Sequence, residues 1–169
     1  FLDQAGVVQA YLYSAPKKDL GPGGRLAKKY RNAGQGLLGK YQAVTGPYTQ
    51  VDPILNFALR SDFPVTVVPP FRVEWTGQLM VKNPGAYQFI ILTTDTGRVV
   101  LDGKTVLSAG NQKSRRIHLR AGEHPLLVDY VKCQGGVARF HLLWKTPGDN
   151  RYQVVPALAF KTNFSVKGD

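Results

Sequence analysis

The stretch Arg72-Val73-Glu74-Trp75-Thr76-Gly77-Gln78-Leu79 alternates strictly. Val73, Trp75, Gly77 and Leu79 fall on one side, and Arg72, Glu74, Thr76 and Gln78 on the other. Successive side chains of a strand point to opposite faces, so this period of two marks a strand with one buried face. The same logic runs through the rest of the chain. Asn83-Pro84-Gly85 supplies a turn, with proline pre-setting φ and glycine accepting positive φ. Tyr87, Phe89 and Ile91 form the next inward set. Arg98 to Leu101 and Lys104 to Leu107 flank Asp102-Gly103, a two-residue hairpin signal. Ile117 and Leu119 alternate with Arg116, His118 and Arg120. After the turn at Ala121-Gly122-Glu123, Leu126, Val128 and Tyr130 point inward with Asp129 opposite. Gln134-Gly135-Gly136 turns the chain again. Phe140, Leu142 and Trp144 complete the pattern, with Arg139 and His141 outside. Short strands spaced 8–12 residues apart predict an all-β fold, an antiparallel barrel or sandwich. Trp75 is expected in the core with Val73, Phe89, Leu101, Val128 and Phe140.

Residues 1–35 have a different texture. A short apolar stretch, Val7 to Tyr13, precedes the loop-forming run Pro16-Lys17-Lys18-Asp19-Leu20-Gly21-Pro22-Gly23-Gly24, and Arg25 to Arg31 reads as a turn or two of helix. The expected organisation is a loop-rich N-terminal extension at 1–35, a β domain at 36–160 and a tail at 161–169. The 169 residues, 43% of them hydrophobic, suit one domain with a sizeable core. No run approaches the roughly 20 apolar residues of a membrane helix. The chain opens on Phe1 without an initiator Met, and it reads as a mature protein or, by preference, a domain cut from a longer chain, with targeting signals removed. The single Cys133 excludes an internal disulfide framework and reads as a structural, turn-adjacent residue.

Chemistry-bearing motifs are sparse. His118, His124 and His141 lack ligand spacing and read as surface histidines. The glycines at 21–24 are interrupted by proline, with no Gly-Lys-Ser/Thr following. Asp95 and Asp102 flank one short strand and are the carboxylates to weigh for glycoside hydrolysis. Asn163-Phe164-Ser165 is a glycosylation sequon, meaningful only in a eukaryotic secretory setting. No catalytic residues are expected. The formal charge of +11 attracts anions: nucleic acid, acidic glycans or anionic headgroups. A merely solubilising surface is the competing reading. Without a recognisable nucleic-acid motif, nucleic acid is not an expected partner.

Seven segments, in order, resemble one family. Gly36-Leu37-Leu38-Gly39-Lys40-Tyr41, Val51-Asp52-Pro53-Ile54-Leu55-Asn56-Phe57, Phe71-Arg72-Val73-Glu74-Trp75-Thr76-Gly77 and Pro84-Gly85-Ala86-Tyr87-Gln88-Phe89 come first. Thr94-Asp95-Thr96-Gly97 with Val99 to Lys104, then Leu119-Arg120-Ala121-Gly122 and Val128-Asp129-Tyr130, complete the series. Together they resemble the PA-fourteen domain family over residues 36–160. The resemblance implies an antiparallel β accessory module of the kind attached to glycosidases, glycosyltransferases, adhesins and toxins. In adhesin relatives it implies a calcium ion held by two adjacent aspartates joined by a cis peptide and by an Asn in a later loop. Here Asp95 matches the first aspartate, Thr96 stands at the second position, and the later loop reads Lys132-Cys133-Gln134-Gly135. Calcium needs several oxygen ligands, so no metal or other cofactor is expected.

The expected function is therefore a non-catalytic, lectin-like module of a larger exported or envelope protein, in an extracytoplasmic setting. Candidate carbohydrate ligands are Asp95, Thr96, Lys104, Asn111, Arg115 and Gln134. Residues 103–120 carry Lys104, Lys113, Arg115, Arg116 and Arg120 and no acid, a charge of +5 that favours an anionic glycan. The expected site is one loop end formed by residues 94–97 and 102–116. The alternative is a structural or protein-interaction domain that docks a neighbouring domain of the same protein and takes no glycan.

Overall fold

A computed structural model describes residues 34–58, 62–64, 67–108, 112–133 and 135–163. Two antiparallel sheets face each other across a single main core. The first carries β1 (Leu37–Ala43), β2 (Gly46–Asp52), β4 (Phe71–Val81), β6 (Thr96–Leu101), β7 (Lys104–Leu107) and β9 (Gly122–Lys132). Their order is β2-β1-β4-β9-β6-β7, and β12 (Phe160–Lys161) pairs with β4. The second sheet runs β11-β10-β5-β8. Its strands are β5 (Gly85–Thr93), β8 (Ile117–Leu119), β10 (Phe140–Lys145) and β11 (Gln153–Val154), and β3 (Asn56–Phe57) also pairs with β10. The sheets do not close on one another, so this is an open sandwich and not a barrel. No helix among the described residues is long and apolar enough to cross a membrane.

The period-two pattern sets the core. Along β4 the burial alternates as expected, with Val73, Trp75 and Leu79 fully buried. Phe89, Leu101, Val128 and Phe140 are buried from the neighbouring strands, as their parity predicts. The Trp75 ring lies 5.1 Å from Phe140 and 5.5 Å from Phe57, centroid to centroid, and so joins the two sheets. Its indole N–H donates to Asp52 Oδ2 at 2.7 Å. Asp52 is itself buried, and also accepts from Tyr41 Oη at 2.5 Å and Gln50 Nε2 at 2.6 Å. One carboxylate thus ties β1, β2 and β4 together with charge-assisted bonds. Gly39 sits against this cluster: a Cβ there would come within 2.7 Å of Asp52 Oδ2 and 2.9 Å of the Trp75 ring. The Asp102-Gly103 hairpin forms as expected, with both residues at positive φ, 50° and 74°.

His141 departs from expectation. Its outward parity on β10 holds, but the outer face of the second sheet is not solvent there. Ile90 and Leu143 are buried on that face beneath Leu92, Tyr152 and Val154. His141 is only 2% exposed, and its Nδ1 meets Asn56 Oδ1 at 2.7 Å. Burial, reinforced by the charge of Arg139, lowers its pKa to about 4. The expected helical turn at 25–31 and the apolar stretch at 7–13 lie outside the described residues.

Candidate functional site

The architecture separates the candidate residues. Asp95 lies in the turn between β5 and β6, and Thr96 opens β6 as an exposed residue. Lys104 lies past the other end of β6, opposite Leu101 across the hairpin. A six-residue strand advances about 20 Å, so Asp95 and Lys104 sit at opposite ends of the sandwich. The single loop end expected from residues 94–97 and 102–116 does not form. Arg115 belongs to neither end. Ser114 fixes its segment halfway along β5: the Ser114 N–H donates to Phe89 O at 2.8 Å, and Phe89 N–H donates to Ser114 Oγ at 2.9 Å. Asn111 and Gln134 lie outside the described residues.

Two distinct environments result. The first is the Asp95 end. Thr94 Oγ1 lies 2.9 Å from Asp95 Oδ2 and 3.0 Å from Val137 O. The Cys133 N–H donates to Asp95 Oδ1 at 3.3 Å, and Tyr130 Oη donates to Oδ2 at 3.4 Å. The Lys132 ammonium lies 3.3 Å from Oδ1 and 3.2 Å from Oδ2, and donates to Gly135 O at 2.5 Å. Burial opposes ionisation of Asp95 most strongly. The hydrogen bonds from Thr94, Lys132 and Cys133, with the lysine charge, outweigh it and hold the carboxyl below its ordinary pKa. Burial and the neighbouring Asp95 charge push the Tyr130 phenol up, so it stays a donor.

Lys132 is the residue that sequence reasoning missed here. Leu126, Val128 and Tyr130 point inward, and the same count of two puts Lys132 on the inward side. A lysine at an inward position signals a buried partner, and Lys132 is 3% exposed. This donor set does not fit calcium. Asp95 is the one carboxylate at the turn and already faces an ammonium. Among the described residues, no three His, Cys, Asp or Glu side chains gather as ligands. The cis peptide among the described residues is Pro69–Pro70, and Asp95–Thr96 is not cis.

The second environment is the flank bounded by the edge strands β7 and β8, both of which pack on β5. Each ends its sheet. Lys104, Lys113, Arg115, Arg116, His118 and Arg120 are all exposed along it. Among the described residues, none of its five lysines and arginines lies within 4.0 Å of a carboxylate, whereas Arg72, Arg98, Lys132 and Lys161 do. Lys113 Nζ also sits 5.6 Å from the centroid of the Tyr152 ring, a cation–π distance. At the far end of the flank, His124 bridges Asp102 Oδ2, 2.8 Å from Nδ1, and Arg120 O, 2.9 Å from Nε2. Burial works against protonation of His124, but these two acceptors more than offset it and raise its pKa.

The PA14 domain model matches residues 39–157. None of the curated proteins compared matches significantly. Among solved structures, the chain is similar to an anti-sigma factor domain-containing protein from Clostridium clariflavum, with 24% identity and a TM-score of 0.65. That match covers 76% of this chain and 48% of the other, so this chain spans about half the length of that relative. It is similar to a PA14 sugar-binding domain from an RTX adhesin, with 19% identity, a TM-score of 0.60 and coverage of 76% and 98%. It is also similar to the A domain of epithelial adhesin 6 from Candida glabrata, solved with Galβ1-3GlcNAc, with 13% identity, a TM-score of 0.59 and coverage of 76% and 87%. The structural likenesses bear on the fold, and the family match covers most of the chain: it belongs to the PA14 domain family.

Proposed function

We propose that this domain is a non-catalytic carbohydrate-binding module of a larger extracytoplasmic protein, and that its glycan is anionic. The observation that carries the reading is the uncompensated charge on the β7–β8 flank. Five exposed cations there lack carboxylate partners among the described residues, and residues 103–120 contain no acid to offset them, whereas Arg72, Arg98 and Lys132 each face an aspartate. The sugar-binding domain of the RTX adhesin and the adhesin 6 domain solved with Galβ1-3GlcNAc support the glycan class. Lys104 and Arg115 supply charge, and arginine grips a carboxylate or sulfate with two parallel hydrogen bonds. Outward residues on a strand repeat every 6.7 Å or so, and Arg116, His118 and Arg120 are spaced in that way. Such a row suits a linear polyanion running along the edge.

Geometry supports the non-catalytic reading. Glycosidase carboxylates stand roughly 5–9.5 Å apart, across one bond. Asp95 and Asp102 stand at opposite ends of β6, and each is engaged, by Lys132 and by His124. They do not form an acid–base pair.

A glycan array carrying neutral, uronate-bearing and sulfated oligosaccharides tests the proposal. Retention on the acidic members and not on the neutral ones is expected, with Arg115→Ala and Lys104→Ala weakening it. One observation favours the alternative, a domain-docking role: the Asp95 carboxylate is turned inward to Lys132 and not outward to solvent. No retention on any glycan, together with protection of the flank in the intact parent protein, would establish that reading instead.

A further inference from the structure

We propose that the Lys132 ammonium is the resident cation of the Asp95 end, standing where the family resemblance places calcium, so that this end of the sandwich is closed without metal. An ammonium has three N–H donors. Three oxygens face it: Asp95 Oδ1, Asp95 Oδ2 and Gly135 O, at 3.3, 3.2 and 2.5 Å. Two of these contacts, to Asp95 Oδ1 and Gly135 O, are hydrogen bonds, the third completes the ion pair, and the lysine is buried. The charges match as well, one carboxylate to one ammonium. A divalent ion added there would leave a buried positive excess and would need six to eight oxygens, against which the turn offers a single carboxylate.

The pair also has a mechanical role. β5 belongs to the second sheet and β6 to the first, so the turn carrying Asp95 crosses between sheets. β9 and β10 are likewise in different sheets, so the segment after Lys132 crosses back. The Lys132–Asp95 contact joins these two crossovers. The Cys133 N–H to Asp95 and the Thr93 Oγ1 donation to Arg139 O at 2.8 Å lie alongside it. Lys132 thereby does by a side chain what a bound ion does elsewhere, holding two crossovers at fixed separation. This inference is independent of whether the flank binds a glycan.

The test has two arms. In the wild type, calorimetric titration with calcium is expected to give no binding heat. The thermal midpoint and the exchange rate of the Cys133 amide should be the same in calcium and in chelator. In Lys132→Gln, the Cys133 amide should exchange about tenfold faster, because the clamp on its acceptor is lost. Asp95→Asn should do the same, and the double variant should be no faster than either single one, since the two groups act as a unit. Calcium binding by the wild type that Asp95→Asn abolishes would overturn the proposal. So would an unchanged Cys133 exchange rate in Lys132→Gln. If the variants fail to fold, the calcium titration of the wild type still decides.

Discussion

Acidification should destabilise this domain through His141. The imidazole is 2% exposed, and Nδ1 must carry the proton it shares with Asn56 Oδ1, because an amide oxygen only accepts. Its pKa is lowered to about 4, by burial first and the Arg139 charge second, against 6.5 for an ordinary histidine. At pH 7 the ring is neutral in both folded and unfolded chains. As pH falls, the unfolded chain takes up its proton near 6.5 and the folded chain only near 4. Stability is therefore lost as pH falls across this window, by about 3 kcal/mol in total, most of it already by pH 4.5. Two other groups are separable. His124, with a raised pKa, contributes stability at low pH that is lost as pH rises through its folded value, the opposite sense. Asp95, with a lowered pKa, contributes stability that is lost only as pH falls below the ordinary carboxylate range. Urea unfolding of the wild type and His141→Gln at pH 7.0 and 4.5 isolates the term. Glutamine can still donate to Asn56 but does not titrate. The wild type should lose roughly 2–3 kcal/mol more than the variant between the two pH values. Parallel losses, or an NMR titration of His141 with a midpoint near 6.5, would refute the reasoning.

Trp75→Ala should cost about 3–5 kcal/mol in urea unfolding, since a fully buried ring is removed from between the sheets. Trp75→Phe should cost about 1–3 kcal/mol, much of it from the lost donor to buried Asp52. Gly39→Ala should lower stability by about 1–3 kcal/mol, because its Cβ would press on Asp52 Oδ2 and the indole; an unchanged melting temperature would show that the cluster yields freely. Asp102→Asn should bring the NMR-measured pKa of His124 down toward the ordinary value by removing one of its two acceptors.

The buried face of this fold was legible because strand parity needs no tertiary information. Val73, Trp75, Phe89, Val128 and Phe140 follow from counting by two, and Asp102-Gly103 follows from the turn chemistry. His141 was misread because parity assigns a side and not its solvent. Only the packing of Leu92, Tyr152 and Val154 on Ile90 and Leu143 makes that outer face dry. Lys132 was within reach of the same count that placed Tyr130 inward. Its partner was not, because the pairing spans 37 positions in the chain and depends on two crossovers meeting. The candidate site failed to assemble for a related reason. Nearness along the chain is not nearness in space: Asp95 and Lys104 are separated by the length of β6.

The central claim, an anionic glycan on the β7–β8 flank, is tested most directly by calorimetric titration with a sulfated or uronate-bearing oligosaccharide at two ionic strengths. The cations involved are exposed, and the screening length shrinks from about 30 Å at 0.01 M salt to about 10 Å at 0.1 M. Affinity should fall steeply between those conditions and should fall again in Arg115→Ala and Lys104→Ala. The folding stability of these variants should stay within about 0.5 kcal/mol of the wild type. Equal affinity at both salt concentrations, or undiminished binding of a neutral oligosaccharide by the double variant, would contradict the account.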